Sequence, residues 1–198
     1  MMMRLVLVCL LLFSTAVAAQ NRIPVTFELK DGSEVQGHVQ PFIMGVKSFT
    51  YSDTPKGKLN RMKLDKVHRM ITTDGDKTFT YEVVNVLNPK NNKIQGVYVL
   101  NIIVEGYMTL YHFKNTTFHE LYIKPSPDVK GVYLAAMIEY GTSKLDKRNQ
   151  AYFNRDFNKK WGIYFKDHPE ISEEFAAGTI DTKQIDELVI RYNKFKEN

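Results

Sequence analysis

His112 and His119 are the residues whose type and spacing best suggest chemistry in this chain. They lie on either side of Lys114-Asn115-Thr116-Thr117, with Glu120 adjacent. If that tetrapeptide turns a hairpin between Gly106–Phe113 and Phe118–Ile123, the two imidazoles can face each other, and paired hairpin histidines can bind zinc. Strand alternation places Tyr111 and Phe113 on one face and His112 on the other. Histidines on a solvated face are more often exposed imidazoles than ligands, so His112, His119 and Glu120 stand as candidates and no metal or other cofactor is assigned. His38, His68 and His168 are scattered. Ser126 and Ser143 sit in polar linkers, where turn formation accounts for them. Glu170, Glu173 and Glu174 cluster at a helix start, where acids suit the macrodipole. The sequence contains no Gly-x-Ser-x-Gly elbow, no phosphate-cradling glycine loop and no His-Glu-x-x-His helix. No catalytic residue is assigned, and whether the chain is an enzyme stays open, with the balance against.

The elements that must position these residues begin after residue 19. Arg4, the apolar run Leu5–Phe13 and the small residues up to Ala18 and Ala19 have the layout of a secretory signal peptide, cleaved after Ala18 or Ala19. The apolar run is too short for the roughly 20 residues that a membrane span needs, and no transmembrane helix is expected in the mature chain. Cys9, the only cysteine, lies inside this segment. A mature chain would thus have no thiol for disulfides, metal ligation or nucleophilic catalysis. Processing removes one cation and no acid, lowering the formal net charge of +5 by one. The remaining charges are interspersed, so a nucleic-acid partner is not expected. An anionic envelope component remains compatible with the mild basic excess.

Alternation and turn signals then predict strands as far as residue 141. Val25, Phe27 and Leu29 alternate with polar residues, as do Val35 and Val39, across Lys30-Asp31-Gly32. A three-residue loop with left-handed Gly32 keeps the odd positions opposite one another, whereas a two-residue turn would mix the faces. Further strands are expected at 61–64, 67–72, 77–86, 96–104, 106–113 and 118–123. Val132–Tyr140 reads equally as strand or helix. From Ser143 the pattern becomes helical. Phe153, Phe157, Trp161 and Tyr164 recur at helical spacing, Pro169 opens a second helix that Gly178 stops, and Ile185, Leu188, Val189, Tyr192 and Phe195 line a last one. The expected class is α+β: an N-terminal antiparallel β-rich region (20–141), as a small barrel or twisted sheet, followed by a C-terminal helical tail (142–198) of two to three helices that packs on or beside it.

Two resemblances add to this. Phe27-x-Leu29-x-Asp31-Gly32, Val35-x-Gly37-x-Val39, Phe42 and Phe49-x-Tyr51-x-Asp53 resemble the first motif of Sm-like small β-barrels over residues 25–53. RNA-binding members carry an Asp after the Phe and an Asn before the next strand. Ile43 and Lys47 or Ser48 stand there, and Leu64–Ile71 lacks the Arg-Gly pair of the second motif. This resemblance implies a barrel-forming backbone without the RNA site. The ending Phe165-x-Asp167-His168-Pro169-Glu170, followed by Ile185-x-x-Leu188-Val189-Ile190-x-Tyr192-Asn193, resembles a loose group of exported bacterial envelope proteins without an established activity. It implies a periplasmic or secreted location. The expected function is an exported, non-catalytic protein that binds another envelope component through its β surface or helical tail. The alternative is a hydrolase or small-ligand carrier with a pocket between the β region and the helices.

Overall fold

The computed structural model describes residues 22–40, 48–114, 119–138 and 144–198. The expected signal segment with Cys9, Ala18 and Ala19, the motif positions Phe42, Ile43 and Lys47, the hairpin tip and Ser143 lie outside them. The class is α+β, with ten antiparallel strands followed by three helices among the described residues. The chain forms two compact units, Met1–Thr78 and Phe79–Asn198. Within the second unit the helices pack on the later strands.

The first unit contains β1 (Ile23–Leu29), β2 (Glu34–Val39), β3 (Ser48–Ser52), β4 (Asn60–Lys63) and β5 (Val67–Asp74), in the order β5-β1-β2-β3-β4. One 3-10 turn, Leu64–Lys66, joins β4 to β5. The opening hairpin has the expected register, with Val25 opposite Gly37 and Phe27 opposite Val35. Leu29 N–H donates to Ser33 O at 2.8 Å, and Gly32 takes a φ of 84°, so the loop is the three residues Lys30-Asp31-Gly32. A side chain at that φ meets its own backbone, which is why glycine stands there. Asp31 Oδ1 accepts from the Ser33 amide and hydroxyl, fixing the turn. Phe27 is fully buried and packs against the rings of Phe49 and Tyr51, each 5.5 Å away. On β4, Met62 points inward while Arg61 and Lys63 are exposed.

The second unit orders its strands β10-β9-β8-β7-β6: β6 (Lys77–Leu87), β7 (Ile94–Val104), β8 (Thr109–Lys114), β9 (His119–Lys124) and β10 (Tyr133–Ile138). The ambiguous segment is therefore a strand at β10. Its Ala135 and Ala136 fit under a helix, and a bulge between Leu134 and Ala136 absorbs the break in alternation. The sheet curls until its outer strands meet at one point, a parallel bridge between Val86 and Val132. Leu87 N–H donates to Val132 O, and Val132 N–H to Asn85 O, both at 2.8 Å. A Cβ on Gly131 would stand 2.6 Å from Asn85 O, so only glycine permits this approach. The sheet is not a closed barrel, which corrects the small-barrel expectation: one bridge is not a ladder.

Curling buries both faces of β8 and β9. One face carries Val84, Val86, Leu100, Tyr111, Tyr122 and Val132, bordered by Tyr98, Ile102 and Phe113. The other carries Leu110, Leu121 and Ile123 beneath α1 (Lys144–Trp161), α2 (Pro169–Ala177) and α3 (Ile185–Lys196). Phe157 of α1, Phe165 of the connector after it and Ile171 of α2 are completely buried there, each worth about 1.5–3 kcal/mol of transfer free energy. Gly178 stops α2 in the left-handed conformation, as its position suggested.

Asparagines fasten the helices by imitating backbone. Asn193 accepts from Met108 N–H at 2.7 Å and donates to Met108 O at 2.8 Å. Asn158 does the same to Ile180, donating at 2.7 Å and accepting at 3.2 Å. Asn154 Oδ1 accepts from the Thr182 amide and hydroxyl. The Asn193 bonds pair buried polar groups that water cannot reach, and those of Asn154 and Asn158 are half-buried.

Candidate functional site

The β8–β9 hairpin carries the groups with the strongest mutual arrangement. Its register sets Tyr111 opposite Tyr122, His112 opposite Leu121, Phe113 opposite Glu120 and Lys114 opposite His119. Side chains alternate along a strand, so His112, Lys114 and His119 share one face. Tyr111, Phe113, Glu120 and Tyr122 share the other.

The structure brings His112 and His119 together: Nε2 of the first lies 2.7 Å from Nδ1 of the second. The ring centroids are 4.7 Å apart with planes 26° from parallel. The centroid spacing exceeds the nitrogen spacing by about two ring radii, so the rings meet edge to edge and one N–H lies between them. Burial first, then the charges of His119 and Lys114, hold His112 below its ordinary pKa. His119 is lowered by burial and by Lys114. Both shifts favour neutral imidazoles, and the shared hydrogen bond requires the accepting ring to be neutral.

Glu120 does not join them. It faces the other way and accepts the Tyr122 hydroxyl at 2.7 Å. Tyr111 donates similarly to Glu82 at 2.9 Å. Burial, followed by Glu120, raises the Tyr122 phenol far above its ordinary pKa. The rings of Phe113 and Tyr122 flank Tyr98 at 5.9 and 6.1 Å. This face is an aromatic surface edged by two carboxylates that tyrosines hold in place.

The sequence reading missed Asn101. It stands directly across β7–β8 from His112, with Tyr81 across from it on β6. Its Oδ1 is buried and accepts no hydrogen bond. Only the strand register identifies it, and no motif marks that register in the sequence.

The remaining candidates have structural surroundings. His168 precedes α2 and packs 4.6 Å from the Phe195 ring. His38 lies on β2 and His68 on β5 in the other unit. The Ser126 carbonyl accepts from Val129 N–H in a turn. Glu174 forms a two-pronged pair with Arg191 at 2.6 and 3.2 Å, while Glu170 lies in the first turn of α2. Among the described residues, no three His, Cys, Asp or Glu side chains converge as a metal-binding set, and no helix is long and apolar enough to cross a membrane. Comparison with known proteins finds no matching family model, no matching curated protein and no matching solved structure.

Proposed function

We propose that this is an exported, non-catalytic protein of the bacterial envelope, periplasmic or secreted, that binds another envelope component through its β surface. The observation that carries this reading is the apolar strip left uncovered on β7. Ile94, Val97 and Ile103 are 60%, 46% and 42% exposed, although β7 pairs on both sides and its Val99 and Leu100 are buried. Three large apolar side chains left exposed along one strand suit a docking surface better than a solvated face. The packing of the second unit favours binding over a pocketed hydrolase or carrier: Leu110, Ile123, Phe157, Phe165 and Ile171 fill the junction of its sheet and helices. The reading of export rests on the layout of residues 1–19.

Site-specific photo-cross-linking in the native host tests both parts. A probe at Val97 is expected to give a discrete adduct in the envelope fraction, while one at exposed Lys58 gives none. The Val97→Glu, Ile103→Glu double substitution is expected to reduce capture by a tagged chain. Identical adduct ladders from the two probe positions would remove the docking surface. Recovery of the chain in the cytoplasmic fraction with residues 1–19 intact would remove export.

A further inference from the structure

We propose that the outward face of α1 docks on the surface of an anionic phospholipid bilayer, a contact separate from the β7 strip. Six of the helix's eighteen residues are Lys or Arg and two are Asp, so α1 alone carries +4 of the chain's formal net charge of +5. Along the sequence these bases look interspersed, but winding at about 3.6 residues per turn gathers them. Arg148, Tyr152, Arg155 and Lys159 are all exposed, and their spacing of three or four residues sets them in one line along the helix. The opposite side carries Gln150, Phe157 and Trp161, which are buried. Asp156 does not neutralise the line, because its carboxylate pairs with Lys160 at 2.8 Å.

Apolar groups interrupt the bases, and they decide the partner. Tyr152 is 55% exposed, and Ile163, in the 3-10 turn that follows α1, is 67% exposed. The Arg155 guanidinium stands 5.6 Å from the centre of the Tyr152 ring, so charge and ring are presented together. Lipid phosphates take the cations, while a tyrosine ring and an isoleucine gain by sinking to the acyl boundary just beneath them. A nucleic acid would also attract the bases, but its phosphates and sugars offer an isoleucine little to bury against. The line from Arg148 to Lys159 is about 16 Å long and straight, which fits a flat surface. Each base held near an anionic bilayer strengthens binding by about fivefold. Three such bases with two apolar contacts make a reversible, salt-sensitive attachment.

The test is co-sedimentation of the purified full chain with vesicles of phosphatidylglycerol and phosphatidylcholine in equal parts, against vesicles of phosphatidylcholine alone. Binding is expected to the first and not to the second, and to fall as salt is raised. The Arg155→Gln, Lys159→Gln double substitution is expected to weaken it by about thirtyfold, and Ile163→Asn by about fivefold. Arg61→Gln, Lys63→Gln removes the same charge from exposed positions on β4 and is expected to change it by less than about threefold. All these chains keep residues 1–19, so any contribution of that segment cancels between them. Equal binding to both kinds of vesicle, equal losses from the two double substitutions, or no binding would overturn the proposal. So would a short single-stranded RNA that binds more tightly than the vesicles and is lost in the α1 double substitution, which would make the face a nucleic-acid surface.

Discussion

Asn193 shows how much of this structure depends on single polar side chains. Its amide satisfies both backbone groups of Met108 in a fully buried setting. Asn193→Ala leaves a buried N–H and a buried C=O without partners, each costing about 1–3 kcal/mol. The expected loss is on the order of 2–4 kcal/mol in urea unfolding followed by the fluorescence of Trp161, which is buried and stacks on Phe157. Asn193→Asp sets a buried carboxylate against Met108 O, so it is expected to cost at least as much as alanine at neutral pH. At Gly131, replacement by Val drives a Cβ into Asn85 O and the Leu87 side chain. That substitution is expected to cost about 1–3 kcal/mol. It should also expose the Leu87 and Val132 amides to faster hydrogen exchange, while distant amides of β8 stay protected.

At the level of elements, α3 is held by a cluster that responds to alkali. Burial, then the hydrogen bond donated to Asp167 at 2.9 Å, pushes the Tyr192 phenol up to about 12 from 10.0. Lys196 pairs with the same carboxylate and lies over the Tyr107 ring. A phenol whose pKa is higher in the folded state contributes stability that is whole below pH 10 and is lost as pH rises through about 12. The wild-type unfolding midpoint is therefore expected to fall across that window more steeply than that of Tyr192→Phe, which keeps the packing against Phe165. The elements themselves were largely legible in sequence. Alternation around Asp31-Gly32 determined the β1–β2 register, and Pro169 and Gly178 bounded α2. Val132–Tyr140 was not legible, because Leu134-Ala135-Ala136 breaks alternation at a bulge and tertiary pairing overrides local preference. The His112–His119 pairing followed from a hairpin that alternation foretold. Asn101 did not, since its position depends on a register between strands that the sequence does not print.

For the whole molecule, the division into units follows from contacts that no periodicity announces. The helices look like a tail in sequence because composition changes at Ser143. Asn154, Asn158 and Asn193 read there as polar positions on helix surfaces, yet they take their partners from backbone, which has no sequence signature. Solubility is likewise a property of the whole surface. The outermost strand β4 presents Arg61 and Lys63 to solvent, and charged side chains on an edge strand discourage pairing with other chains. Replacing both with valine is expected to promote self-association, seen as a concentration-dependent shift in light scattering, with little change in the circular dichroism of the monomer.

The clasp between Asn193 and Met108 joins positions 85 residues apart, and this has a consequence for the timing of synthesis. When β8 and β9 have emerged from the ribosome, the helix that covers Leu110 and clasps Met108 has not yet followed. Until α3 arrives, a greasy sheet face waits in the open, and closing so long a loop is slow compared with forming a local hairpin. The second unit is therefore a late folder. It becomes resistant to proteases only after its last helix has been made.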